Sequence, residues 1–176
     1  YPADPERLAA TRGALEWPEP QVALGLALRG IAHAAIDISD GLLQDLGHIL
    51  AASRVGAVLH EDRLPAAAAL AGLPADALRR AVLGGGDVYQ LCFTAPAARR
   101  DAVLAAARTA GARVTRVGGI VAHDPAQDAM QASAVTHTGG SSEIPGAARP
   151  RLVVLDATGQ PLSLIHISEP TRLRRI

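Results

Sequence analysis

The sequence predicts a layered domain of the α/β or α+β class, in which strands alternate with helices. Short apolar runs of strand length alternate with Ala- and Leu-rich segments whose apolar residues recur at helical spacing. Hydrophobic residues make up 49% of the 176 residues and aromatic residues only 2%, so the core must consist of Ala, Leu, Val and Ile. The length suggests one domain, or one domain and a fragment.

The N-terminal part is predicted to be a linker that leads into this domain. Residues 1–20 are polar and rich in Pro, which indicates a linker, and the domain is expected to cover residues 21–161. From Gln21 onward, an Ala/Gly-rich segment predicts a buried helix. Residues 33–38 are a short apolar run, predicted as a strand, that leads into Asp40, a favourable helix N-cap residue.

The helix after Asp40 has the clearest amphipathic pattern in the chain. Its apolar residues fall on one face at helical spacing: Leu42, Leu43, Leu46, Ile49 and Leu50. Further strands are predicted at residues 56–59, 88–94, 114–121 and 151–156, and helices at 74–83 and 96–111. Residues 123–150 have no periodicity and are predicted to form a long loop or to be disordered.

The final residues, 162–176, differ in composition from the Ala-, Gly- and Arg-rich chain before them. The segment from Leu162 to Arg172 resembles the translated reading frame of a transposon-type sequencing adapter. We therefore expect 162–176 to be an artefactual tail and give it no functional weight. This expectation fails if the intact genomic locus encodes the same residues.

Composition excludes several classes of protein. The formal net charge is zero and no basic block runs through the chain, so we expect no nucleic-acid partner. All 17 cationic residues are Arg, which excludes a P-loop lysine and a lysine Schiff base. The single Cys92 fits a reducing, cytoplasmic compartment. No apolar run reaches the roughly 18–20 residues of a membrane helix.

The segment Asp37-Ile38-Ser39-Asp40-Gly41, called the acidic turn below, joins a predicted strand to a predicted helix. Both carboxylates are expected near one helix N-terminus, where exposed backbone N–H groups and the helix dipole favour an anion. Two carboxylates beside a phosphate site suit Mg²⁺, and the Ser39 hydroxyl can donate to a phosphate. Spacing alone favours a simpler interpretation, in which Asp40 is only a helix cap and Asp37 only a strand-end charge.

The sequence around the acidic turn resembles the signature of the thiamine-monophosphate kinases. The resemblance covers residues 34–50 and continues at 83–94, which are similar to that family's second C-terminal motif. Residues 84–90, Gly-Gly-Gly-Asp-Val-Tyr-Gln, are called the glycine motif below. Sister families that share the fold (aminoimidazole ribonucleotide synthetase, selenophosphate synthetase and hydrogenase maturation factor) carry different residues at the acidic turn. The resemblance therefore favours the kinase.

The resemblance implies a fold, a reaction and residue roles. The fold would be α+β (α/β layered), a mixed β-sheet with packed helices, as in the C-terminal domain of the aminoimidazole ribonucleotide synthetase-like proteins. The reaction would be the ATP- and Mg²⁺-dependent phosphorylation of thiamine monophosphate to thiamine diphosphate, in a homodimer. By this resemblance Asp37 and Asp40 would bind Mg²⁺, Ser39 would contact ATP and Asp87 would contact the thiamine substrate. No residue is assigned as catalytic, since the reaction needs no covalent nucleophile.

The glycine motif departs from the family pattern at three positions. Asp87 stands where the family has Glu, Val88 where it has Asp, and Gln90 where it has Glu. We expect these changes to affect activity, or at least substrate affinity, and sequence errors are another explanation. From residue type alone, the Gly residues 84–86 would be no more than a helix stop and a tight turn.

The remaining candidate residues are expected to be structural. The histidines before the tail show no metal-ligand spacing, and Cys92 is predicted to be a buried strand thiol. Tyr89 is expected to be a half-buried strand residue, and Asp45 an exposed helix charge rather than a ligand. Four arginines are predicted to lie on solvated helix faces: Arg79, Arg80, Arg99 and Arg100.

The resemblance also implies parts that these residues lack. The family has an N-terminal domain with a cluster of aspartates and a C-terminal aromatic that packs on the thiamine ring. We therefore expect the chain alone to be an incomplete catalyst. Two alternatives stay open: a non-catalytic α/β nucleotide-binding or assembly module, and a sister enzyme with another phosphate acceptor.

Overall fold

The computed structural model describes residues 4–122 and 152–162, which form five α-helices and five strands. The predicted loop at 123–150 and most of the suspected tail lie outside the described residues. The elements are α1 (Pro5–Glu16), α2 (Val22–Ala27), β1 (Ala34–Asp37), α3 (Leu42–Ser53), β2 (Val55–His60), α4 (Ala75–Gly84), β3 (Leu91–Thr94), α5 (Arg100–Thr109), β4 (Gly118–Ala122) and β5 (Leu152–Leu155). Short 3₁₀ turns lie at Glu61–Arg63, Ala68–Leu70 and Ala97–Arg99.

The strands form two sheets. Strands β1 and β3 pair antiparallel, with Ala34 opposite Thr94 and Asp37 opposite Leu91. The second sheet has the order β4-β2-β5, in which β2 pairs antiparallel with β4 and parallel with β5. The predicted α+β class with a mixed sheet is therefore confirmed, although the described strands divide between two sheets.

The main core lies between one face of α3 and the second sheet. The spacing that predicted α3 is confirmed, because Leu42, Leu46, Ile49 and Leu50 are buried and Leu43 is half-buried. Buried members of this core are Leu42, Leu46, Leu50, Ala57, Leu59, Leu83 and Val154. Each fully buried aliphatic side chain contributes roughly 1.5–3 kcal/mol through removal of its surface from water. A smaller cluster joins α2 to α5 through Leu24, Leu28, Ala106 and Ala107.

Several local predictions differ from the structure. Residues 5–16, within the predicted linker, form α1, which buries none of its residues and is attached by Arg7 Nε, a donor to the Ala69 carbonyl at 2.9 Å. The helix after Gln21 is only six residues long and leaves Val22 and Leu26 exposed. Arg79 is not solvated on a free face, because its side chain is 29% exposed and donates to Glu61 at 2.8 Å. Within the described residues, no helix is long and apolar enough to cross a membrane.

Candidate functional site

The structure places the acidic turn beside the glycine motif. Past the end of the β1–β3 pairing, the Ile38 N–H donates to the Gln90 carbonyl and the Tyr89 N–H donates to the Ile38 carbonyl, both at 2.9 Å. The Asp87 N–H donates to the Ser39 carbonyl, also at 2.9 Å. These bonds use only main-chain atoms, so two motifs that are distant in sequence share one backbone frame.

Two glycines permit this close approach. Gly41 has φ +117°, and a Cβ there would lie 2.9 Å from the carbonyl carbon of Gly84. A Cβ on Gly86 would overlap the Ser39 carbonyl oxygen. Glycine at both positions is therefore required by contact between the two segments, in addition to the predicted helix stop.

Asp45 organises the acidic turn, and the expectation of an exposed charge was wrong. Its side chain is only 3% exposed. One carboxylate oxygen, Oδ2, accepts three backbone N–H bonds, from Ser39 at 2.9 Å, Asp40 at 3.0 Å and Gly41 at 3.1 Å. The usual capping box does not reveal this role, because it places its acid at the third helical residue and Asp45 is the fourth residue of α3.

The predicted cap at Asp40 was wrong as well. The N-cap residue of α3 is Gly41, which has no side chain, and the Asp40 carboxylate accepts instead from Gln44 Nε2 at 3.0 Å. The N–H groups of the acidic turn are not exposed to an anion either, because Asp45 accepts all three that follow Ile38. The Asp40 carboxylate itself is exposed to solvent, so a ligand can reach it.

The predicted site residues are accessible and lie on the two segments that these main-chain bonds join. Asp37, Asp40 and Asp87 are exposed, and Ser39 is half-buried. Tyr89 is half-buried as predicted but precedes β3, and its hydroxyl donates to Asp87 Oδ1 at 3.3 Å. Both Asp87 and Tyr89 have positive φ, +59° and +48°, so the regular strand β3 begins only after them, at Leu91.

The pKa of Tyr89 reports the local charge. The negative charge of Asp87 raises the pKa of the Tyr89 phenol, with further contributions from the hydrogen bond to Asp87, from burial and from the charges of Asp37 and Asp40. A phenolate is disfavoured beside carboxylates. The three predicted ligand carboxylates thus act in the same direction on the pKa of this phenol, with Asp87 making the largest contribution.

Among the described residues, no ion pair involves Asp37, Asp40 or Asp87. The ion pairs in residues 4–122 and 152–162 are Arg7–Asp4, Arg12–Glu16, Arg79–Glu61 and Arg79–Asp76. In the same part of the chain, no three His, Cys, Asp or Glu side chains are grouped tightly enough to hold a metal ion. The donor set still fits Mg²⁺, which takes one or two protein carboxylates and completes its shell with water and phosphate oxygens.

An open apolar groove lies beside α3, and Leu42 and Leu46 of that helix are among its lining residues. It has a volume of about 460 Å³ and is lined in part by Phe93 and Val103, with Arg100 and Arg116 among its polar residues. None of the four predicted site residues lines it. The candidate site is thus a surface feature of the described residues, and nothing in them excludes water from it.

Fold and motifs together define the class of protein. Residues 6–127 match the family of the AIR synthase related protein, C-terminal domain, and the chain belongs to that family.

Named relatives narrow this class. Thiamine-monophosphate kinase of Salmonella typhimurium is 48% identical over 103 residues, which cover 57% of this chain and 31% of that protein. The crystal structure of thiamine-monophosphate kinase from Stenotrophomonas maltophilia matches with a TM-score of 0.62 and 47% identity, covering 66% of this chain and 37% of that one. The resemblance that the two motifs indicated is thereby confirmed.

A more distant structure shares the fold alone. The hydrogenase maturation protein HypE of Escherichia coli matches with a TM-score of 0.55 at 20% identity, over 85% of this chain and 41% of that one. The chain spans about a third of the length of the curated relatives that it matches.

Proposed function

We propose that this chain is the C-terminal part of a thiamine-monophosphate kinase, in which the acidic turn helps to hold Mg²⁺ and ATP and the glycine motif contacts thiamine monophosphate. One observation carries the proposal: three backbone hydrogen bonds join the two motifs, so that Asp37, Asp40 and Asp87 share one surface. The similarity to proteins named thiamine-monophosphate kinases supports the reaction class.

In this proposal Asp37 and Asp40 bind Mg²⁺, and Ser39 donates its hydroxyl to ATP. When bound, Mg²⁺ would offset the negative charge of the phosphate oxygens that the reaction brings together. Asp87 binds the thiamine substrate, and the Tyr89 hydroxyl, which donates to Asp87 Oδ1, orients that carboxylate. Phosphoryl transfer needs positioning and charge stabilisation rather than a nucleophilic side chain, which is consistent with this inventory of residues.

The proposed complete protein is a cytoplasmic homodimer that acts on small molecules, without a nucleic-acid or membrane partner. The exposed site and the chain's short span relative to its relatives both favour catalysis by a larger assembly. Residues 1–20 would connect the domain to the remaining part, and α1 would then be a helical connection.

Calorimetric titration tests the proposal. ATP or thiamine monophosphate should bind in the presence of Mg²⁺, and Asp40→Ala should abolish that binding because it removes a metal ligand. Asp62→Ala is the matched control, since Asp62 is an exposed carboxylate on a 3₁₀ turn outside both motifs. Binding that is equal in Asp40→Ala and the parent chain would refute the proposed role of the acidic turn.

A non-catalytic nucleotide-binding module is the alternative that one observation favours. Val88, which stands where the family pattern that the sequence resembles has Asp, is 43% exposed between Asp87 and Tyr89 and offers no polar side-chain group to a substrate. The double substitution Val88→Asp and Gln90→Glu discriminates the two functions. In the kinase it should strengthen thiamine monophosphate binding and, in a complete enzyme, raise turnover. An unchanged affinity would favour the non-catalytic module.

A further inference from the structure

The acidic turn lacks the free backbone N–H groups that make a helix N-terminus attractive to anions. Such sites work because backbone N–H groups point outward and the helix dipole adds positive charge. Here three successive N–H groups, those of Ser39, Asp40 and Gly41, donate to one oxygen of Asp45. An internal carboxylate thus occupies the position that a phosphate oxygen would take.

The negative charge around the acidic turn also disfavours the binding of a free anion. Asp45 places a buried negative charge inside the first turn of α3, where it offsets the positive end of the helix dipole. Asp37 and Asp40 add two exposed carboxylates, and no ion pair in the described part of the chain neutralises any of the three. A free anion that approaches this surface meets repulsion and finds the three N–H donors of the turn already bonded.

The same bonds fix the backbone that carries the exposed carboxylates. Three N–H bonds to one buried oxygen define the conformation of residues 39–41, including the positive φ of Gly41. The direction in which the Asp40 side chain leaves the backbone is therefore set by Asp45. The Gln44 amide then holds the Asp40 carboxylate at 3.0 Å from the other side.

We propose that Asp45 is a positioning residue that closes the acidic turn to free anions and holds its carboxylates for a divalent cation, so that a phosphate group binds there only together with that cation. The cation-holding half of this inference rests on the proposed function. The exclusion of free anions does not.

Two probes test the inference on the full 176-residue chain: Mn²⁺ alone, and pyrophosphate without any divalent cation. The parent chain should bind Mn²⁺ and not pyrophosphate. Asp45→Asn removes the charge and replaces one carboxylate oxygen with a donor amide. It should weaken Mn²⁺ binding by about 10- to 100-fold, the usual effect of losing a group that orients metal ligands. Asp45→Ala removes the acceptor oxygen as well and leaves the three N–H groups of residues 39–41 unbonded. It should gain measurable pyrophosphate binding, which the loss of a merely structural residue would not confer.

Asp62→Asn is the matched control, because it removes the same charge from an exposed position outside the turn. It should leave both affinities unchanged. An Asp45→Asn chain that binds Mn²⁺ as the parent does would overturn the inference, and so would a folded Asp45→Ala chain that does not bind pyrophosphate.

If the Asp45 variants fail to fold, hydrogen exchange on the parent chain tests whether the three N–H groups are bonded to Asp45. The amides of Ser39, Asp40 and Gly41 should be protected, and exchange at the rate of an open loop would overturn the inference. If the parent itself binds no Mn²⁺, the proposed metal site is wrong, whereas amide protection and pyrophosphate gain still test the exclusion by Asp45.

Discussion

At the scale of single residues, Cys92 shows how burial and charge together set the chemistry of a side chain. It lies in β3 against the main core, and burial raises the pKa of its thiol to about 11, with a smaller contribution from the charge of Asp45. The neutral thiol is the form that this environment accepts. Cys92 is therefore a core residue rather than a nucleophile, as its strand position predicted.

A dependence of stability on alkaline pH follows. The unfolded thiol loses its proton near 9.0 and the folded one near 11, so the folded state binds more protons between these values. The stability due to this thiol is complete below about pH 9 and is lost as pH rises towards 11. Urea unfolding of the parent and of Cys92→Ala across this range should show a decline in the parent that the variant lacks. Parallel curves would contradict the assignment.

Tyr89 provides a second prediction, because its phenol is raised in pKa chiefly by Asp87. Asp87→Asn should lower the Tyr89 pKa, as followed by ultraviolet absorbance in a Tyr1→Phe background that leaves a single tyrosine. Asp62→Asn should leave it unchanged. If Mg²⁺ binds at Asp37 and Asp40 as proposed, adding it should lower this pKa as well, since the cation would offset their charges. A pKa insensitive to Asp87 would contradict the observed contact.

At the scale of elements, the close approach of the acidic turn to the glycine motif depends on residues without a side chain. Gly86→Ala should destabilise the chain by about 1–3 kcal/mol, since the new methyl group overlaps a main-chain oxygen that cannot rotate away. Gly47→Ala is the matched control, because nothing lies within 4 Å of its Cβ position in the middle of α3. It should stabilise by roughly 0.5–1 kcal/mol through helix propensity. Chemical denaturation measures both, and equal effects would contradict the close approach.

Helix α3 is held by its buried face. Leu50→Ala should cost about 2–5 kcal/mol, because Leu50 is fully buried and its truncation leaves a cavity. Leu26→Ala, at a position that is 61% exposed, should change stability by less than about 0.5 kcal/mol. A similar cost for the two variants in denaturation experiments would show that α3 is not the centre of the core.

At the scale of the whole molecule, a sensitive phosphoryl-transfer assay on this chain alone should give little or no turnover. The site is exposed to water on the described residues, and the chain spans about a third of its curated relatives. Catalysis of this kind requires several charged groups and exclusion of water. Turnover at the rate of a complete enzyme would contradict this prediction.

The sequence predicted the elements whose patterns have a physical signature. The leucine spacing of α3 is visible because that helix buries one apolar face. The apolar run of β2 is visible because its central residues are buried, whereas β1 alternates half-buried and exposed residues. Helix α1 carries no such signature, since none of its residues is buried and its apolar side chains point to solvent. Strand β3 is shorter than predicted because Asp87 and Tyr89 adopt positive φ. Their residue types do not predict this conformation.

The candidate site was predicted in part. Asp37 and Asp40 are identifiable from their place at a strand–helix junction, and their exposure agrees with that. The role of Asp45 depends on the path of the backbone at residues 39–41, which brings three N–H groups to one point. Sequence spacing does not reveal that convergence, and the position of Asp45 on a helix alone predicts a surface charge.

The main-chain bonding between the two motifs has a consequence for sequence drift. The bonds that join Ile38 and Ser39 to residues 87–90 use peptide groups alone, so substitution of the side chains at 88 and 90 leaves them in place. A lineage can therefore exchange the side chains at 88 and 90 while it inherits the same backbone arrangement. Variants at Val88 and Gln90 should keep the fold of the parent, whatever their effect on the binding proposed for this motif.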